Sequence, residues 1–324
     1  MMSKLKIAVD AMGGDLGAAA VCAGAIDAIK AYPDLSVVLI GQEAIIKGEI
    51  SKHTNYDNSR LTILNASEVI GTDEVPTTAI RRKKDSSIVV GLKHVKEGHA
   101  DGFVSAGSTG ALLTGATVII GRKPGVERPA LGTLLPNAKG GLTLLLDSGA
   151  NMDAKPSYYL QFAQMGSEYM QKSMGIQNPK VGLVNVGTEE EKGNEAVKEA
   201  YALLKAADLN FVGNVEGREI PSGEIDVAVC DGFVGNVALK LTEGLSKSLM
   251  GMIKEELKSG LLSKIGAFLS MGAFRKLKKR FDYREVGGAP FLGLNALVIK
   301  AHGSSDALAI KNAIGQCIRF SNQS

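Results

Sequence analysis

Short apolar runs alternate with helical periods along most of this 324-residue chain, and this alternation limits its fold more than any other feature. The predicted strands are 6–10, 36–41, 61–65, 102–105, 142–147, 180–186, 210–215 and 225–230. The clearest helical periods between them are 18–31, 87–96, 158–174 and 194–207. Such alternation predicts a Rossmann-like α/β fold, in which helices cover both faces of a mainly parallel sheet. We treat residues 1–324 as one domain.

Composition and charge exclude several classes of protein. With 45% hydrophobic and 22% charged residues the chain is an ordinary globular one, and a net charge of +3 is too small for a dedicated nucleic-acid binder. The three cysteines, Cys22, Cys230 and Cys317, are scattered, which favours a reducing compartment. Because we find neither a signal peptide nor an apolar run of about twenty residues, we expect a cytoplasmic protein.

Glycine and small polar residues gather where five predicted strands end. The segments that follow these strands read AMGGDLGA after Asp10, AGSTGA after Ser105, DSGANMDAKP from Asp147, GTEEEKGN after Val186 and DGFVGNVALK from Asp231. The carboxyl ends of parallel strands meet at one edge of a sheet, where such folds bind ligands. Any one of these turns is also explained by ordinary turn chemistry, but together they predict a shared pocket.

The turn that follows Ser105 is suited to a small anion. Glycine lets backbone N–H groups approach a ligand, Ser108 and Thr109 offer hydroxyls or a helix cap, and the next helix begins with partial positive charge. The chain contains neither GxxxxGK[ST] nor GxGxxG, so bound ATP or NAD is less favoured than phosphate.

Two later segments carry amide, carboxylate and ammonium groups. The first places Asn151, Asp153 and Lys155 ahead of a helix, and the second separates Asn236 from Lys240 by one helical turn, on the same face. The first is equally consistent with an Asx turn and N-cap, and Lys240 with a solvated surface charge.

No familiar nucleophile arrangement is present, since GxSxG and HExxH are both absent and the four histidines do not cluster. His302, in AHGSSD at the end of a strand, is a candidate for proton transfer, although a structural histidine is equally consistent. Cys230 is more simply explained as a small buried residue than as a thioester nucleophile.

The segment 260–284 departs from the α/β rhythm. It predicts two apolar helical stripes, with a break near 270–272 and basic residues around the second stripe. Within residues 245–285 we therefore predict a protruding helical hairpin. Its exposed apolar and basic groups suit a membrane surface or an acidic protein partner, and burial in a homodimer interface is the alternative.

Several motifs together resemble the bacterial phosphate acyltransferases of phospholipid synthesis. They are, in order, KIAVDAMGGD, AIRRKKDSSIVVG, SAGSTGALLTG, RPAL, LLLDSGANMDAKP, VGLVNVGTEEEKGNE, DGFVGNVALK and VIKAHGSSD. The resemblance covers nearly the whole chain. The resemblance leads us to expect asparagine at position 108 and an apolar residue at position 148, so Ser108 and Ser148 are departures from it.

The resemblance implies that inorganic phosphate attacks the thioester of a long-chain acyl carrier protein and yields acyl phosphate. It further implies a homodimer, a fold like phosphotransacetylases and isocitrate-type dehydrogenases, no cofactor or metal, and delivery of product to a membrane glycerol-3-phosphate acyltransferase. We therefore expect peripheral contact with the inner face of the cell membrane.

Residue roles follow as hypotheses. The candidate catalytic residues are Asn151, Lys155, Asp231, Asn236 and His302. The candidate substrate-binding residues are Asp10, Gly13, Gly14, Ser105, Gly107, Ser108, Thr109, Gly110, Asp153, Asn185, Thr188 and Lys240. Three rival functions stay open: a phosphate acetyl- or butyryltransferase acting on coenzyme A thioesters, an NADP-linked decarboxylating dehydrogenase, and a membrane-surface scaffold.

Overall fold

The computed structural model describes residues 5–280 and 282–321. Its first sheet contains seven strands: β1 (Leu5–Asp10), β2 (Leu35–Gly41), β3 (Leu61–Asn65), β4 (Gly102–Ser105), β5 (Ala130–Leu131), β11 (Ala289–Leu292) and β12 (Leu297–Lys300). Their spatial order is β3-β2-β1-β4-β12-β11-β5. All pairs are parallel except those that β11 makes with β12 and β5.

The second sheet contains five strands: β6 (Thr133–Pro136), β7 (Leu142–Leu146), β8 (Val181–Asn185), β9 (Phe211–Glu216) and β10 (Val227–Val229). Their order is β6-β7-β10-β8-β9, and only β6 runs antiparallel to its neighbour. The chain passes from the first sheet to the second at Gly132, since β5 ends at Leu131 and β6 begins at Thr133.

Helices cover both sheets. In chain order they are α1 (Gly17–Ala31), α2 (Glu43–Ile50), α3 (Pro76–Arg82), α4 (Ser87–Lys96), α5 (Thr109–Gly115), α6 (Pro156–Met174), α7 (Glu195–Ala206), α8 (Gly232–Glu256), α9 (Leu261–Leu269), α10 (Met271–Arg280), α11 (Tyr283–Val286) and α12 (Ala307–Ser321). Within the described ranges none is long and apolar enough to cross a membrane.

The central strands are largely apolar because both of their faces are buried. In β1, Ile7 and Val9 pack in one core with Ile310 of α12, whereas Ala8 between them packs in another core with Leu92 of α4. The second sheet repeats this arrangement, with Leu144 and Leu146 in the core of α6 and Leu145 in the opposite core. This double burial explains the continuous apolar runs in the sequence.

The α/β class is confirmed, and the bounds of the predicted strands and helices differ from the observed ones by at most two residues. One feature of the architecture differs from the prediction, because the strands divide between two sheets rather than forming one. Four observed strands have no predicted range, and each has two to four residues: β5, β6, β11 and β12. Of these, only β12 was expected, from the strand end placed before His302. Runs this short carry little periodicity.

The predicted break in the basic segment is confirmed, since α9 ends at Leu269 and α10 begins at Met271. Helix α8 has 25 residues, so it extends roughly 37 Å. Its buried residues are Gly232 and Gly235 in its first turn, and none of the residues of α9 is buried. The function of 245–285 as a contact hairpin stays a prediction.

Candidate active site

Hydrogen bonds join the carboxyl ends of β1 and β4. Ser105 Oγ donates to Asp10 Oδ2 (2.6 Å) and accepts from the Gly107 N–H (3.0 Å), while the Met12 N–H donates to Asp10 Oδ1 (3.0 Å). Both side chains are buried. Burial raises the pKa of Asp10 above its ordinary value, and the bond from Ser105 acts in the opposite direction. Asp10 and Ser105 therefore fix the shape of the glycine-rich turn.

Close backbone approach explains the glycines of this edge. A Cβ atom on Gly13 would lie 2.5 Å from the Gly107 nitrogen, so the turns after β1 and β4 touch at their backbones. Gly14 has φ of +90°, which side chains disfavour. Gly110 has a different neighbour, because its Cβ would lie 2.7 Å from Cγ of Pro76 in α3.

The side chains of Ser108 and Ser148, the two departures from what the sequence resemblance led us to expect, have local hydrogen-bond partners. Ser108 is the N-cap of α5, and its Oγ accepts from the Ala111 N–H (3.4 Å), a role that serine and asparagine share. Ser148 is buried, donates to the Leu131 carbonyl (2.9 Å) and lies 2.7 Å from Thr133 Oγ1. Neither polar change leaves an unmet hydrogen bond.

Lys300, at the end of β12, is a candidate site residue that the sequence analysis missed. Its buried ammonium donates to the carbonyls of Ala106 (3.2 Å) and Ala301. Burial lowers its pKa to about 8, the charge of Lys240 acts in the same direction, and Asp10 and Asp15 act against it. The available signal was a lysine that ends an apolar strand.

Asp147 organises the loop that follows β7. Its buried carboxylate accepts hydrogen bonds from the backbone N–H groups of Leu131 (3.0 Å), Gly149 (3.2 Å), Ala150 (3.1 Å) and Asn151 (2.6 Å), and from the Asn151 amide (2.8 Å). Burial raises the pKa of Asp147, while these donors act against that shift. The loop is thus built around a single side chain.

The other candidates of this loop differ in exposure. Both amide N–H groups of Asn151 are used within the protein, one by Asp147 and the other by the Pro129 carbonyl (2.9 Å). Asp153 and Lys155 are exposed, and Lys155 stands directly before Pro156 of α6. The catalytic role of Lys155 and the substrate-binding role of Asp153 stay predictions.

The first turn of α8 packs directly on this loop. A Cβ atom on Gly235 would lie 1.9 Å from the Asp147 carbonyl oxygen, and one on Gly232 would lie 2.7 Å from the Asn151 oxygen. Half-buried Asn236 faces the same loop, since a Cβ on Gly149 would lie 3.6 Å from its side chain. Because Gly232 and Gly235 have no side chains, the first turn of α8 can approach the loop closely, and this places Asn236 beside it.

Asp231 caps α8 and is held by a buried tyrosine. Its carboxylate accepts from the Val234 N–H (2.7 Å) and from Tyr159 Oη (3.1 Å). Burial, followed by the neighbouring Asp231 charge, raises the pKa of Tyr159, so the phenol stays protonated and donating.

A contact between Lys240 and His302 joins the edges of the two sheets. Lys240 Nζ, on α8, lies 3.2 Å from His302 Nε2, after β12, and donates to Glu243 Oε2 (2.8 Å). His302 Nδ1 lies 2.9 Å from Ser304 Oγ. Burial and then the Lys240 charge lower the pKa of His302, which keeps its imidazole neutral at physiological pH.

Asn185 and Thr188 do not join this group. Asn185 closes its own loop, donating to the Lys192 carbonyl (3.0 Å) and accepting from the Val186 N–H (2.8 Å), and Thr188 is exposed. Within the part of the chain that the structure describes, neither side chain bonds to the 147–151 loop or to α8. A binding role for either one stays a prediction.

A family model described as "Fatty acid synthesis protein" matches residues 5–324. The chain belongs to this family. It is 52% identical over 310 residues to the phosphate acyltransferase of Clostridium botulinum (strain Loch Maree / Type A3), covering 96% of this chain and 92% of that protein. This membership confirms the resemblance seen in the sequence, and it places the protein among the acyltransferases.

Solved structures of other enzymes share the fold of this family member. A phosphotransacetylase from Streptococcus pyogenes aligns with a TM-score of 0.65 at 18% identity, covering 99% of this chain and 94% of that one. A 4-hydroxythreonine-4-phosphate dehydrogenase from Klebsiella pneumoniae aligns with a TM-score of 0.57 at 11% identity, covering 98% and 100%. At such identities the likeness establishes the fold alone.

Proposed function

We propose that this protein transfers a long-chain fatty acyl group from acyl carrier protein to inorganic phosphate and releases acyl phosphate for phospholipid synthesis. Beyond family membership, the observation that supports this is the junction of Lys240 and His302 at the glycine-rich edge that also holds Lys300. The two cationic side chains at this edge are Lys240 and Lys300. Cations beside a turn of backbone N–H groups suit a phosphate dianion.

The reaction needs no covalent intermediate. A phosphate oxygen attacks the thioester carbonyl, the C–S bond breaks, and the carrier leaves as a thiolate that takes up a proton. Because phosphate is already a nucleophile, the protein has to hold it, orient it and stabilise the oxyanion. The turn at 105–110, with Ser108, Thr109 and Lys300, holds phosphate, while Asn236 and Lys155 stand near the reacting carbonyl.

His302 is the favoured group for proton handling. Its lowered pKa leaves a neutral imidazole that accepts a proton from phosphate as the oxygen attacks, and the imidazolium formed can protonate the departing thiolate. Asp231 accepts from the Val234 N–H in the first turn of α8 and from Tyr159, so we assign it to holding α8.

The direct test is phosphate-dependent loss of thioester from palmitoyl carrier protein, with the acyl phosphate trapped as a hydroxamate. Palmitoyl-coenzyme A and acetyl-coenzyme A serve as competing donors. Hydroxamate formed with phosphate, and preferentially from the carrier protein, supports the proposal. Preference for acetyl-coenzyme A would instead assign a phosphotransacetylase, and no hydroxamate from any donor would refute both functions.

We further propose a homodimer formed through α8. Large apolar side chains project from one side of this helix and are at least half exposed: Phe233 (63%), Val237 (53%), Leu241 (67%), Leu245 (62%), Leu249 (50%) and Met252 (53%). Spacings of three and four residues place them on one helical stripe. Leu241→Glu is expected to shift the protein from dimer to monomer in sedimentation velocity, and an unchanged dimer would contradict this interface.

Helix α9 supports the proposed contact with the inner face of the membrane, where the downstream glycerol-3-phosphate acyltransferase would take up the product. Its apolar side chains are exposed, with Leu262 at 85% and Phe268 at 71%, and α10 adds Arg275 and Lys276. Apolar groups beside cations bind anionic bilayers. Leu262→Glu is expected to abolish flotation with phosphatidylglycerol vesicles without lowering turnover of soluble substrate.

A further inference from the structure

A cavity of about 450 Å³ lies at the opposite end of the second sheet from the candidate active site. Its walls come from β6, the start of β7, the last turns of α6 and α12, and helices α10 and α11. Leu142, which begins β7, lines the cavity, whereas Asp147 follows the end of that strand. At about 3.3 Å per residue the two regions are roughly 16 Å apart, so the cavity is a separate site.

One side of the cavity is apolar. Leu134, Leu142, Met174, Tyr169 and Phe320 form this wall. The rings of Tyr169 and Phe320 pack against each other with centroids 5.1 Å apart, which gives the wall a fixed shape. A preformed apolar wall is suited to a hydrocarbon chain.

The rim of the cavity is cationic. Its lining includes Lys276, Lys279, Arg280 and Arg319, against the two carboxylates Asp282 and Glu285. Asp282 forms a salt bridge with Arg284, whose Nη2 lies 2.5 Å from Asp282 Oδ2. Because Arg284 does not line the cavity, the negative charge of Asp282 is compensated from outside it. The rim thus presents an excess of positive charge to a ligand.

Two guanidinium groups hold the rim in place. Arg280 donates from α10 to the Asn137 carbonyl of the β6–β7 turn (3.2 Å), and Arg319 donates from α12 to the Val286 carbonyl (3.2 Å). A guanidinium carries five N–H donors, so a bond to one carbonyl leaves capacity for an anionic group. Both side chains are therefore oriented before a ligand arrives.

We propose that this cavity binds a single-chain lipid with an anionic head group, a carboxylate or a phosphate monoester, with the chain on the apolar wall and the head at Arg280 and Arg319. The volume is in the lower half of the range of about 300–1,000 Å³ for small-ligand sites, which favours one acyl chain over a two-chain phospholipid. A ligand here contacts α10 as well as the sheet and ties the basic segment to the domain.

The test measures binding of cis-parinaric acid, as a monomer below its micellar concentration, by fluorescence enhancement in the full-length protein. We expect saturation at one site per chain. Ser173 lines the cavity, so Ser173→Phe fills it and should weaken binding at least about tenfold, whereas Ser173→Ala, the matched control, should bind like the wild type. Wild-type affinity in Ser173→Phe would overturn the proposal.

A second set of measurements tests the contribution of the anionic head group. It does not depend on whether Ser173→Phe folds. Arg319→Gln, and replacement of the probe by its methyl ester, should each weaken binding several-fold, whereas Lys198→Gln on α7 should not change it. Displacement by oleate or by hexadecyl phosphate identifies the carboxylate or the phosphate as the preferred head. Failure of both to displace the probe, or binding to phosphatidylglycerol vesicles alone, would refute a single-chain site.

This inference does not depend on the proposed reaction. Ser173→Phe leaves the glycine-rich edge untouched, so its hydroxamate yield with palmitoyl carrier protein should match that of the wild type. Loss of probe binding with turnover retained separates the two sites, and loss of both in that variant would place the lipid in the active site instead.

Discussion

Lys240 Nζ lies 3.2 Å from His302 Nε2, although they are 62 positions apart in the chain and follow strands of different sheets. Lys240 is carried by α8, which begins at the end of the second sheet, and His302 follows the last strand of the first. The contact is what turns two separate sheet edges into one candidate site. Chemistry at this edge therefore depends on the position of α8.

Lys240→Met should raise the pKa of His302. The charge of Lys240 disfavours protonation of the imidazole, so its removal makes the imidazolium easier to form. Histidine NMR signals followed between pH 5 and 8 measure the change. Lys247→Met, an exposed position on the same helix, is the matched control and should not move the titration. An unchanged His302 titration in Lys240→Met would show that this pair does not interact in solution.

Gly235→Ala should destabilise the protein by about 3 kcal/mol and reduce turnover, because the added Cβ would stand 1.9 Å from the Asp147 carbonyl oxygen and push α8 from the loop. Gly244 lies on the same helix with nothing within 4 Å of its Cβ position. Gly244→Ala should therefore stabilise the helix by about 0.5–1 kcal/mol. Thermal denaturation with the hydroxamate assay checks both, and equal behaviour of the two variants would contradict the packing argument.

Asp147→Ala should cost about 4 kcal/mol of unfolding free energy, since it leaves buried N–H donors without their shared acceptor at about 1–3 kcal/mol each. Asp147→Asn keeps one acceptor oxygen and should lose less. Urea denaturation followed by circular dichroism measures both. Wild-type stability in Asp147→Ala would mean that water replaces the carboxylate in this loop.

Phosphate affinity should fall as pH rises through about 8. Lys300, with its pKa lowered to about 8, is positively charged below that pH and neutral above it, so its attraction for phosphate is lost on the alkaline side. The KM for phosphate, from hydroxamate formation between pH 6.5 and 9.5, measures the loss. Lys300→Met should show a higher KM that varies less with pH. The same pH profile in both proteins would exclude Lys300 from phosphate binding.

Much of the architecture was predictable because the central strands of both sheets are buried on both faces. Runs such as 61–65 and 102–105 coincide with observed strands, since short runs rich in β-branched and other apolar residues between polar segments leave few alternatives. The division into two sheets was not predictable in this way. It depends on the short strands β5, β6 and β11: β5 pairs with β11 far along the chain, whereas β6 forms a hairpin with β7 in the other sheet.

In the candidate site, too, local features could be predicted from the sequence, whereas contacts between distant segments could not. Local hydrogen bonds at Ser108 and Asp231 cap the helices that follow, as helix-cap preferences predict. The placement of Lys300 was missed, because the sequence shows only a lysine at a strand end and not the burial that lowers its pKa. Asn185 was grouped with the site by its strand-end position, yet it closes its own loop.

The sequence by itself determined the α/β class, the glycine-rich strand ends and the family, because periodicity, turn residues and long motifs are properties of neighbouring positions. Only the tertiary structure decided which strand ends meet. The backbone approach of Gly235 to Asp147, the burial of Lys300 and the contact of Lys240 with His302 each join segments far apart in the chain. Such distances are set by how helices and sheets pack, which no local pattern of residues specifies.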